Sequence, residues 1–127
     1  MNKLLLIALG GAFGSVARYL LVGWTHKAFD TTFPLGTLAV NVIGCMCIGV
    51  LGALFDRPHL VAEELRVGLL IGVLGGFTTF SSFGLETFRL VNDGEYLRAI
   101  LNVLVTNASC LLVAWAGYRI TERIVGA

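Results

Sequence analysis

The chain has 127 residues, of which 57% are hydrophobic and a further 16 are glycine; only 13% are charged, and the formal net charge is +1. The charged share is about half the roughly 25% usual in soluble domains, too little to give a globule of this size a polar surface. This composition excludes a soluble domain and a disordered tail, and with no block of like charge it excludes a nucleic-acid partner. An all-α integral membrane protein remains, as a single domain over 1–127.

A helix needs about 20 mostly apolar residues to cross the hydrocarbon core. Four stretches meet that length. Leu4–Val22 is the first, with Arg18 near its end. Its start, Met1-Asn2-Lys3 before Leu4–Leu9, has the look of a secretory signal. The apolar run continues past Gly14, however, so a retained spanning helix is expected. The second span, Pro34–Phe55, is uncharged, and Pro34 suits a first helical turn, where its missing N–H costs little. The third, Val67–Phe88, carries only Glu86, at its end. The fourth, Ala99–Tyr118, is uncharged. Connections of about ten residues make consecutive helices antiparallel and leave no room for a catalytic or nucleotide-binding domain. Gly10 and Gly14 on the first span, and Gly68, Gly72 and Gly76 on the third, recur at the four-residue spacing that lets helix backbones approach closely in lipid. Cys45, Cys47 and Cys110 form no CxxC pair and read as small buried apolar residues. So small a bundle cannot easily surround a pore alone, and a second subunit is expected.

Four spans place both termini and the middle connection on one side. Lys3, Arg57, Arg66, Arg119 and Arg123 lie there, against Arg18, Lys27, Arg89 and Arg98 on the other. Lys and Arg near helix ends set orientation, and five against four is almost no bias. Such a chain can insert both ways up and form an antiparallel homodimer with a two-fold axis in the membrane plane, the symmetry that larger transporters build within one chain. The alternative is weak bias with one orientation enforced by other means.

No ionisable side chain is expected at mid-span, so the carboxylate or His relay of a proton-coupled pump is missing. His26 and His59 are expected in loops, away from any nucleophile, so the chain is not expected to be an enzyme. Neutral hydrogen-bonding groups fill the spans instead. Thr37 and Asn41 share a face of the second helix, and Asn102, Thr106 and Cys110 share one on the fourth. The densest cluster is Gly75-Gly76-Phe77-Thr78-Thr79-Phe80-Ser81-Ser82-Phe83-Gly84. Glycines beside hydroxyl residues are where a membrane helix can break, if neighbours satisfy the freed backbone. A break at Gly75-Gly76 would turn carbonyl oxygens toward a hard cation and start a half-helix with a partly positive N-terminus. Phe80 and Phe83 follow on one face. Their ring edges are positive and could line an anion path, or the rings could simply face lipid or core.

These motifs are similar to those of the Fluc (CrcB) family of bacterial fluoride ion channels. The likeness covers the whole chain. It rests on Gly10-Gly11-Ala12-Phe13-Gly14 with Arg18-Tyr19, on Pro34-Leu35-Gly36-Thr37-Leu38-Ala39-Val40-Asn41 with Gly44, and on Gly75 through Phe83. The fourth helix matches loosely. The resemblance implies four transmembrane helices with the third broken near its middle, in a dual-topology antiparallel homodimer of the bacterial inner membrane. It implies two pores, through which fluoride leaves passively after entering the cell as hydrogen fluoride. The implied phenylalanine pair is Phe80 and Phe83, and the pore asparagine is Asn41. Arg18 would favour anions from a vestibule. A structural sodium ion would sit at the dimer interface on the carbonyls of Gly75 and Thr78. Thr37, Ser81 and Thr106, from the polar rows and the cluster, complete the candidate pore set. A small four-helix multidrug exporter fits the length and charge balance as well, but it would need a carboxylate in Leu4–Val22, which has none. A non-transporting packing subunit is the other rival.

Overall fold

The structure is a computed structural model that describes residues 2–57 and 60–126. Its elements are helical: α1 (Lys3–Ala28), α2 (Leu35–Phe55), α3 (Glu63–Val67), a π-helical segment (Gly68–Leu74), α4 (Gly75–Phe77), α5 (Phe80–Asn92) and α6 (Tyr96–Ile124). Among the described residues four helical stretches are long and apolar enough to span a membrane, with Glu63–Asn92 as the third. His59 lies outside the described residues.

Three spans overrun their expected ends, because these helices continue past the first charged residue. The α1 helix begins at an Asn2 cap, whose side chain accepts from the Leu4 N–H, and it ends only after His26 and Lys27. His26, expected in a loop, therefore stands in the last turn of α1 beside Lys27, whose charge complements the exposed carbonyls. Arg18 lies deeper along the helix than a span ending at Val22 would put it. In α6 the polar end is held by an Arg119–Glu122 ion pair of 2.9 Å. Pro34 is the cap before α2 and not a residue of its first turn. The expected ten-residue connection between the last two spans is a tight turn. Gly94 adopts φ +76° there, and Glu95 N–H reaches back to the Leu90 carbonyl at 2.8 Å. Glycine suits that left-handed position because it has no Cβ to clash.

Polar contacts tie each end of the bundle. Lys3 pairs with Glu63, and the Tyr118 hydroxyl donates to Asp56 Oδ2 at 2.7 Å, so both termini and the middle connection share one end. At the other end Arg98 donates to Thr32. The placing of both termini and the middle connection at one end, read from the count of four spans, is that of the fold.

The two glycine rows face each other. A Cβ on Gly10 would come within 2.7 Å of the Gly68 carbonyl oxygen, and one on Gly76 within 2.5 Å of the Gly11 carbonyl oxygen. A Cβ on Gly14 would overlap the Val73 carbonyl. Backbone thus packs on backbone along α1, the π-helical segment and α4. The α2 helix packs along α6 in the same way, with Gly49 against Ala114 and Gly117 against Met46. Little apolar side chain is buried within one chain, and Leu9, Phe13, Tyr19, Phe80, Leu104 and Leu112 are among the many exposed large side chains. Such surface belongs against lipid or another subunit.

The third span does break near its middle, but not at the glycine pair. Gly75 keeps helical torsions (φ −62°, ψ −37°), and the chain leaves the helix at Thr78 (ψ 157°) and Thr79 (φ −152°, ψ 110°). Gly76 is not the hinge: it lies inside α4 and packs on the Gly11 backbone. The break is made from outside the segment, by Asn41 of α2.

Candidate functional site: the broken third span

Asn41 is buried on α2 and holds Thr79 by both backbone groups. Its amide Nδ2 donates to the Thr79 carbonyl at 3.0 Å, and its Oδ1 accepts from the Thr79 N–H at 2.8 Å. In a continuous helix that N–H would bond the Gly75 carbonyl four residues back. Its capture by Asn41 ends the first half-span. Thr79 also caps the second half: its Oγ1 accepts from the Ser82 N–H at 3.2 Å. The Thr79 hydroxyl lies 3.0 Å from Ser82 Oγ and 3.3 Å from Ser81 Oγ. Gly44, nearly one turn beyond Asn41 on α2, accommodates the Thr78 methyl, since a Cβ there would overlap it.

Two cavities flank this break. One, of about 340 Å³, is lined by Asn41, Gly75, Thr78, Phe80 and Thr106, with Cys45 and Cys110 beside them. The other, of about 540 Å³, is lined by Arg18, Thr37, Ser82 and Glu86, with Ser15 and His26. Thr79 lines both. The structure thus divides the candidate set: Asn41, Phe80 and Thr106 with the two carbonyl residues on one side, Arg18 and Thr37 on the other. Ser81 is exposed beside the Thr79 cap. Phe80 and Phe83 touch, with centroids 5.2 Å apart and planes tilted by 47°, Phe80 being 77% exposed and Phe83 6%. The three cysteines are half-buried and free, less enclosed than expected.

Two polar groups make contacts that the sequence reading did not give them. Glu86, taken as the end of a span, lies within α5, and its Oε1 accepts from the Thr37 hydroxyl at 2.7 Å. The run of α5 on to Asn92 sets it six residues from the helix end instead of two. Asn102, read only as part of a polar row, is 2% exposed and starts a relay. It accepts from Thr106 at 3.3 Å and donates to the Thr87 hydroxyl at 2.9 Å, which donates to the Phe83 carbonyl at 2.8 Å. This relay fixes α5 on α6 and so positions Phe83.

Chemically, the break sets hydroxyls, two phenyl rings and the N-terminus of a half-helix near one another. Unpaired N–H groups and the helix dipole make such an N-terminus attractive to anions. The fold and site define a multi-pass membrane protein built around a broken helix. The family model described as "CrcB-like protein, Camphor Resistance (CrcB)" matches residues 5–118. Over 124 residues the chain is 54% identical to the fluoride-specific ion channel FluC of Geobacter sulfurreducens and 47% identical to that of Geotalea uraniireducens, covering 98% of this chain and 100% of each relative. The corresponding protein of Geobacter metallireducens is 50% identical over 117 residues, 92% of this chain and 94% of the relative. The chain belongs to the CrcB family.

Proposed function

We propose that the chain is a passive, fluoride-selective channel of the bacterial inner membrane, exporting fluoride and so lowering its toxicity in the cytoplasm. The observation that carries this reading is the Asn41–Thr79 clamp, which holds a half-helix N-terminus and the Phe80–Phe83 pair at the break. The relatives' name, fluoride-specific ion channel, supports fluoride as the ion. Fluoride is small and strongly hydrated, so a path must replace water with donors. Ring edges, first-turn N–H groups and the Ser81 hydroxyl do so without a fixed mid-span charge; Thr37 and Thr106 flank the path with their hydroxyl hydrogens held by Glu86 and Asn102, and Arg18 brings a positive charge to the cavity it shares with Glu86. The test is fluoride efflux from liposomes holding purified protein, read with a fluoride electrode. Rapid efflux supports the channel; none above protein-free liposomes contradicts it.

The working unit is an antiparallel, dual-topology homodimer with two pores. The near-even split of basic residues supports it, as does the exposure of Phe80, a pore candidate incomplete within one chain. With native cysteines replaced, Lys3→Cys in intact cells should be labelled from both sides by an impermeant thiol reagent. Labelling from one side only contradicts dual topology.

A structural sodium ion fits the break. Gly75 loses its helical partner to Asn41, and Thr78 precedes the cap of α5, so both carbonyls stand outside the helical ladder. Unpaired carbonyls in lipid cost several kcal/mol each. Two copies would offer four such oxygens, and a site without a carboxylate suits a hard monovalent cation better than a divalent one. The ion would supply a fixed positive charge and hold the two chains together. Sodium-free protein should therefore lose efflux or dimer stability, as read by electrode and size-exclusion chromatography. Unchanged efflux and assembly without sodium would contradict the site.

A further inference from the structure

The polar rows on α2 and α6 end in thiols. Cys45 follows Asn41 by one turn, and Cys110 follows Thr106 by one turn, so each shares the face of its row. Both line the cavity that holds Asn41, Thr79 and Phe80. Gly49 of α2 packs on Ala114 of α6, and one turn earlier on each helix the same register sets Cys45 beside Cys110. Both are free, and the third cysteine, Cys47, is not among the residues lining this cavity.

We propose that Cys45 and Cys110 form a two-coordinate site for a soft, thiophilic divalent cation of the mercuric type, one helical turn from Asn41. Thiolates select soft metals. Among the described residues no third His, Cys, Asp or Glu joins them, so a four-coordinate zinc site is not formed. On binding, two S–H bonds break, two metal–sulfur bonds form, two protons leave to water, and the metal stays divalent. The product is neutral, which matters in lipid, where an uncompensated charge is costly. A bound ion would bridge α2 and α6 and narrow the cavity beside the clamp. That consequence for conduction rests on the channel reading above; the binding does not.

The experiment adds mercuric chloride to purified full-length protein and follows the ultraviolet thiolate-to-mercury absorption. One equivalent per chain should saturate the band. Cys45→Ser and Cys110→Ser should each lose it, while Cys47→Ser keeps it. In liposomes, mercuric ion should slow fluoride efflux of the unmodified protein and of Cys47→Ser, but not of Cys45→Ser, each relative to its own untreated rate. A band that survives Cys45→Ser, or that needs Cys47, overturns the site. Binding with efflux unchanged overturns the block. Binding by protein that passes no fluoride beforehand upholds the site and counts against the channel reading instead.

Discussion

Phe80→Ile and Phe83→Ile should each abolish most fluoride efflux while the protein still folds and assembles. Isoleucine keeps an apolar side chain but removes the ring, whose edge is positive and whose face is negative. Phe80 is 77% exposed, so its replacement disturbs little packing within the chain. Phe83 is 6% exposed, and its loss also removes the ring contact with Phe80. Such a contact is worth about 0.5–1.5 kcal/mol beyond area burial, too little to unfold a spanning bundle. Initial efflux rates, with size-exclusion profiles of the same samples, check the expectation. Normal rates in both variants would return the rings to a packing role.

Asn41→Asp should block efflux and weaken the fold together. A carboxylate can still accept the Thr79 N–H, now met at 2.8 Å, but it cannot donate to the Thr79 carbonyl, now met at 3.0 Å. An unsatisfied buried group costs about 1–3 kcal/mol, and the added negative charge repels the anion beside the path. Thermal unfolding in detergent and liposome efflux measure the two effects. A variant that conducts normally would show that the clamp is not needed for conduction.

The spans were legible because apolar length is a direct reading of lipid thickness. Their ends were less so, since His26, Lys27 and the Arg119–Glu122 pair continue helices past the charges expected to close them. The existence of a break was visible in the glycine and hydroxyl cluster. Its position was not: Asn41, 38 residues away in sequence, decides it, while Gly76 is committed to Gly11. Spacing marked both glycine rows as faces for close packing, but not that they meet each other, as Gly10 with Gly68 and Gly76 with Gly11 do. Glu86 was hidden by the early end expected for α5, and the role of Asn102 depends on Thr87, which no local pattern connects to it. The π-helical register of Gly68–Leu74 carried no sequence signal.

The most direct measurement is the reversal potential of the current through purified protein in a planar bilayer under a fluoride gradient, with sodium and chloride varied independently. A passive fluoride channel reverses at the fluoride equilibrium potential and stays there when the sodium or chloride gradient changes. A reversal potential that follows sodium or chloride would contradict the account.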